Sequence, residues 1–240
     1  MPPSAQHRLL YLPLFFHEYG HLLYACHRPE MDALVRNLQG VLAQCLEPSA
    51  QRDDRHARHD QERRSTIVET WYEWTVELFC DAVGLVIGGG AFIHSFSMYF
   101  RMLGRDEFQV KAEALEHRGH PVTWLRIRLL ADRARRINLA DAARAAEDSW
   151  TTIAQEMRVN EDYFGFYESE FLTAIQQTID DMLTEAEPRR FDEQAVEDSE
   201  ASTNSPVPLL NRAWREFFKD VQKYSEWEES VISAYLAQQR

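Results

Sequence analysis

Met31, Leu34, Val35, Leu38, Val41, Leu42 and Cys45 recur every three or four residues, the spacing that lines one face of an α-helix. The rest of the chain keeps the same period. No stretch alternates apolar and polar residues over more than a few positions, and glycine and proline number only 9 each in 240 residues. A chain patterned this way must bury its apolar stripes helix against helix, so the expected fold is mainly α with little or no β-sheet. Pro13 suits the first turn of an opening helix that ends before Pro29. Further helices are expected over residues 30–47, 65–86, 91–103, 105–117 and 121–137, punctuated by Pro48, Gly88 to Gly90, Gly104 and Gly119. Residues 141–184 read as one helix or two, with the weak point at 160–166. Residues 49–64 have no apolar side and read either as a solvated loop or as a polar helical extension. The segment 209–236 reads as an amphipathic helix presenting Trp214, Phe217, Tyr224 and Trp227 for packing.

The formal charge of −13 comes from one block: residues 147–205 hold 16 acidic and 3 basic side chains, while the others balance at 23 and 23. That balance argues against a nucleic-acid partner, which needs a basic face. Within the block, residues 184–208 are acidic and poor in apolar side chains, as in a mobile linker. The expected organisation is thus a domain over 1–183, the linker over 184–208, and a C-terminal helix over 209–240. Cys26, Cys45 and Cys80 form an odd, widely spaced set that fits a reducing compartment. The apolar run at 9–16 is broken by Pro13 and meets His17 and Glu18 at once, unlike a secretory leader, and the run at 82–93 is too short to span a bilayer. The expectation is a cytoplasmic protein without a membrane span.

The strongest chemical signal is His17-Glu18-Tyr19-Gly20-His21, an HExxH sequence. On a helix its histidines stand one turn apart on one face, so both imidazoles reach one metal ion, and Glu18 is directed toward the open side where a water would sit. Zn2+ suits two imidazoles and a carboxylate with one position left open. Glu69, Glu73, Glu77 and Asp81 offer carboxylates at four-residue spacing on a later helix. Glu77 and Asp81 fall in its most apolar part, VELFCDAVGLVIGG, where an unpaired carboxylate is costly and a metal ion offsets the cost. Asp81 is placed to accept the outer N–H of a ligating histidine. Glu69 and Glu73 lie nearer the charged segment and read as solvated, as do His56 and His59. His94 reads as a core or pocket-wall residue. Tyr19 either lines a groove or packs, and Tyr163, Phe164, Phe166 and Tyr167 read as packing around a bend in preference to a partner surface.

HEYGH followed by ELFCD resembles the HExxH…ExxxD pattern of gluzincin metallopeptidases, and HPVTWLRIRLL at 120–130 resembles the HPP…RI..L element of the Ste24/HtpX-like, M48-type family. The resemblance covers about residues 9–137 and implies a zincin-like core in which the HExxH helix packs against the ExxxD helix. It implies that His17, His21 and Glu77 bind Zn2+, that Glu18 is the catalytic base, and that Asp81 steadies a ligand histidine. His120 would stabilise the oxyanion, with His117 as the alternative, and Arg126 would fix the loop carrying His120. The sequence departs from the pattern in having Val122 for the second proline of HPP, and in having no strand among the sixteen residues before His17. A substrate strand would then come from an upstream segment or a partner chain, or the groove is built differently. The expected function is zinc-dependent hydrolysis of a peptide or protein substrate, regulated by a protein partner, by the His120 loop or by residues 209–240 folded over the groove. The alternative is a metal-stabilised helical interaction module with little or no catalysis.

Overall fold

The computed structural model describes residues 8–47, 54–104, 107–116, 118–190 and 206–238. It is 80% helical, with no strand among the described residues. A short helix α1 (Arg8–Tyr11) runs through a 3-10 turn (Leu12–Leu14) containing Pro13 into α2 (Phe15–Cys26), which bears HEYGH. Then follow α3 (Arg28–Cys45), α4 (Asp54–Gly88), α5 (Gly90–Arg101), a one-turn α6 (Ala112–Leu115) and α7 (Thr123–Arg136). The chain closes with α8 (Ala140–Met157), α9 (Leu172–Ala186), α10 (Pro206–Lys219) and α11 (Tyr224–Gln238). No helix of the described residues is long and apolar enough to cross a membrane.

The 35-residue α4 is the spine, with α2, α3, α7 and α9 packed along it. Its apolar stripe, Ile67, Trp71, Trp74, Leu78, Phe79 and Val83, is buried. The two indoles keep their polar edges satisfied: Trp71 Nε1 donates to the Phe166 carbonyl at 2.7 Å and Trp74 Nε1 to the Arg118 carbonyl at 2.9 Å. These bonds fix the two bends at 159–167 and 118–122 against the spine. Residues 54–64 are helical, so the polar extension is the form this segment takes, while 48–53 lie outside the described residues. The break between α8 and α9 falls where the sequence is weakest, and Phe166 and Phe171 fill the core beneath it.

Three expectations need correction. The helix expected over 105–117 is reduced to Ala112–Leu115, because Phe108 leaves the helical path to stack on Trp150 at 4.4 Å between ring centroids. The single helix expected over 209–236 is two helices. The Asp220 carboxylate caps the turn between them, accepting the Gln222 and Lys223 amides at 3.0 and 3.2 Å. Finally, helices enter the expected linker from both ends, α9 by three residues to Ala186 and α10 by three from Pro206; residues 191–205 of that linker lie outside the described residues. The C-terminal helices pack on α1 and α5 around Leu10, Trp214 and Tyr224. Glu228 accepts the Leu9 amide at 2.7 Å, and Ser95 Oγ joins the Leu10 carbonyl at 2.6 Å to the Trp214 indole at 3.1 Å.

Gly20 sets the distance between α2 and α4. A Cβ at this position would sit 2.7 Å from the Cys80 Cα, a backbone contact that cannot yield without separating the helices. Gly20→Ala is expected to lower stability by about 1–3 kcal/mol, despite alanine's better helix propensity. Urea denaturation of the two proteins measures it.

Candidate metal centre

Three elements bring the site together. α2 supplies His17 and His21, whose rings meet edge to face with centroids 5.1 Å apart. α4 supplies Glu77 and, one turn on, Asp81. The start of α7 and the loop before it supply Arg126 and His120. Arg126 donates through Nε and Nη2 to both oxygens of Asp81 at 2.8 and 2.7 Å. Both residues are almost fully buried, at 3% and 2% exposure. The guanidinium lies over the Phe96 ring, 4.9 Å from its centroid.

Asp81 Oδ1 also stands 2.9 Å from His17 Nδ1. Although burial opposes it, the adjacent Arg126 holds the Asp81 carboxyl below its usual range, so the group is an anion that can only accept. His17 Nδ1 therefore carries the hydrogen, and Nε2 faces Glu77. The Glu77 carboxylate occupies the centre of the cluster. Its Oε2 is 3.3 Å from His17 Nε2 and 3.4 Å from both His120 Nε2 and Arg126 Nη2, and its Oε1 is 3.5 Å from His21 Nε2. Oε2 is buried yet has no hydrogen-bond partner among the described residues. Two ligands about 2.0–2.1 Å from a tetrahedral ion stand about 3.4 Å apart. Glu77 Oε2 to His17 Nε2 and Glu77 Oε1 to His21 Nε2 each come close to such an edge, through different carboxylate oxygens, and two imidazoles with a carboxylate are donors of the kind Zn2+ takes. The residues present fit the ion.

A cavity of about 480 Å3 opens on this cluster and takes in His17, Glu18, Glu77, His120 and Arg126. Glu18 is exposed within it, beside the first histidine. His120 is 60% exposed, on a loop anchored by the buried Pro121 and Val122 and by the Trp74 bond to the Arg118 carbonyl. Glu69 and Glu73 face solvent. His94 packs between Trp214 and Phe218, and burial lowers its pKa to about 4. Tyr19 is exposed and is not part of the cavity wall. Tyr163 and Phe166 are buried around the α8–α9 bend. His117 and the side chains of His56 and His59 lie outside the described residues. No described residue of 206–238 lines the cavity, so the C-terminal helices do not cover the groove.

Sequence reasoning missed Cys80. Its Sγ and ligand atoms of His17 and His21 lie within 4.8 Å of one another. The available signal is its position three residues after Glu77, on the same face of α4. Burial pushes its thiol pKa up, and the nearby Glu77 and Asp81 carboxylates add to the rise. A thiol must ionise to bind a metal, whereas Glu77 is already held below its usual range by His17 and Arg126 against the opposing effect of burial. Glu77 thus already stands in the ionised form that binds a metal, and Cys80 does not. Also missed was the remainder of the cavity wall, where Tyr11, Leu14, Phe15, Tyr99 and Phe100 adjoin Glu107, Arg118 and Thr123.

In comparisons with known proteins, the chain matches no family model, no curated protein and no solved structure.

Burial opposes protonation of His17, but the hydrogen bond to Asp81 and the nearby Glu77 carboxylate outweigh it and lift its pKa to about 9. In the metal-free protein this imidazolium stabilises the fold fully below about pH 6.5, and its contribution is lost as pH rises through about 9. Zn2+ bound through His17 Nε2 would displace that proton, so its affinity is expected to rise over the same window, with about one proton released near neutral pH. Titration calorimetry in buffers of different ionisation enthalpy measures the release. Arg126→Ala leaves Asp81 buried without its bidentate partner and is expected to cost roughly 3–5 kcal/mol in chemical denaturation.

Proposed function

We propose that this chain is a zinc-dependent peptide hydrolase of the Ste24/HtpX-like, M48 type. The observation that carries the reading is the Glu77 carboxylate, lying 3.3 and 3.5 Å from the Nε2 atoms of the two HExxH histidines in a cavity shared with Glu18. His17, His21 and Glu77 would hold the ion. Zn2+ bound there supplies a Lewis acid that polarises the scissile carbonyl and makes a water nucleophilic near neutral pH. Glu18 accepts that water's proton as the carbon–oxygen bond forms, then delivers it to the leaving amine. His120, on its anchored loop, donates to the oxygen that gains charge. Arg126 and Asp81 act through His17, keeping its Nδ1 protonated and its Nε2 free to bind.

The metal-stabilised interaction module is the second reading, favoured by the lack of any strand among the described residues to pair with an extended peptide. The open cavity and the glutamate beside the first ligand favour hydrolysis, since a purely structural site needs neither. Glu18→Gln separates the two readings. It is expected to leave zinc content and melting temperature unchanged while reducing turnover by about 10^2–10^4-fold. Mass spectrometry of an unstructured protein incubated with the zinc-loaded chain supplies the activity measurement. No hydrolysis by the zinc-loaded wild type would leave the interaction module standing. Glu77→Gln is expected to abolish stoichiometric zinc binding and Cys80→Ser to preserve it; the reverse result would make Cys80 the third ligand.

A further inference from the structure

The cavity has an uncharged aromatic section continuous with the metal centre. Tyr11 contacts Tyr99 with ring centroids 6.5 Å apart, Tyr99 contacts Phe100 at 5.2 Å, and Phe100 contacts Phe96 at 4.6 Å. The Phe96 and Phe100 rings in turn lie under Arg126, 4.9 and 5.6 Å from its guanidinium, and Arg126 is also paired with the Asp81 and Glu77 carboxylates. Leu14 and Phe15 extend this surface from the turn that leads into the HExxH helix, three and two residues before His17, and Phe15 is 51% exposed at the start of α2. Such a wall is more than core packing. Phe96 is buried, but Tyr11, Leu14, Tyr99 and Phe100 keep part of their surface open to a cavity of about 480 Å3. A volume of that size accepts a large side chain together with the main chain that carries it.

We propose that this aromatic section is the specificity pocket, and that the substrate places a bulky apolar side chain, aromatic above all, beside the bond to be cut. The inference rests on the zinc hydrolase reading and names its substrate class. An aromatic guest gains edge-to-face contact with Tyr99 and Phe100 and buries its area against Leu14. A glycine leaves the wall in contact with water and gains none of this. A charged side chain loses its hydration with no partner on the aromatic side.

The test uses the full-length, zinc-loaded chain and two zinc-binding probes that differ only in side chain, phenylalanine hydroxamate and glycine hydroxamate, with binding measured by calorimetry. The phenylalanine probe is expected to bind at least ~10-fold more tightly. Leu14→Trp, which fills the pocket, and Tyr99→Ala, which removes part of its wall, are expected to bring the ratio close to one while the glycine probe keeps its affinity. Neither residue belongs to the metal or proton-transfer set, and zinc content together with circular dichroism identifies a variant that has not folded. Equal binding of the two probes by wild type overturns the pocket while leaving the metal centre intact. Failure of the wild type to hold zinc overturns the hydrolase reading and the pocket with it, so the two failures are distinct.

Discussion

The Arg126–Asp81–His17 chain ties α7 to α4 and α4 to α2, and the geometry of the candidate centre depends on it. Burying a guanidinium and a carboxylate costs several kcal/mol per ion before their attraction is counted. Here the cost is met by a bidentate contact at 2.7 and 2.8 Å and by a third hydrogen bond from His17 to the same carboxylate. An apolar pair of equal volume would hold the helices together as well or better. It would not orient an imidazole. The ionic chain thus fixes which nitrogen of His17 carries a hydrogen, and so which nitrogen meets Glu77, a choice that hydrophobic packing cannot make.

Glu77 shows the same constraint from the other side. Without a cation its Oε2 is buried among nitrogens at 3.3–3.4 Å, too long and too many for one good hydrogen bond. The protonated state of His17 answers part of this demand; its hydrogen bond to Asp81, with the nearby Glu77 carboxylate, raises its pKa to about 9 even though burial alone would lower it. A proton is one answer to this electrostatic problem, and on the proposed reading a divalent cation would be another. The close approach at Gly20 makes the problem unavoidable, because it presses the histidine face of α2 onto α4 at Cys80.

The α-helical class and the central cluster were legible in the sequence for physical reasons. Helical periodicity places His17 and His21 on one face, and carboxylates inside an apolar helix such as VELFCDAVGLVIGG demand partners, which points to Glu77 and Asp81. The resemblance added His120 and Arg126, and both reach Glu77 in the structure. Other features were hidden. Phe108 looks like one more apolar position in a short helix, and only the place left open beside Trp150 and Trp124 draws it out of helical register. Asp220 is one acid among many until its carboxylate meets two backbone amides. The aromatic cavity wall is the instructive case, because Tyr99 and Phe100 follow the same spacing as residues that are wholly buried. Periodicity says which face of a helix is apolar. It does not say whether a neighbour covers that face.

That distinction bears on how a helical hydrolase can hold a peptide. An edge strand grips its substrate through main-chain hydrogen bonds, which hold any sequence and add up with length. On the proposed reading, side chains entering the pocket would supply the grip, and recognition would be concentrated in one or two residues next to the reacting bond. Such a pocket works only if its walls stay in place. α1 and the 3-10 turn, which bring Tyr11 and Leu14 into the cavity, are too short to be stable alone. They are held from outside, by the Glu228 carboxylate on the Leu9 amide and by Ser95 between the Leu10 carbonyl and Trp214. The C-terminal helices thus act on the cavity without lining it: they brace the wall that, on the proposed reading, would receive the substrate side chain.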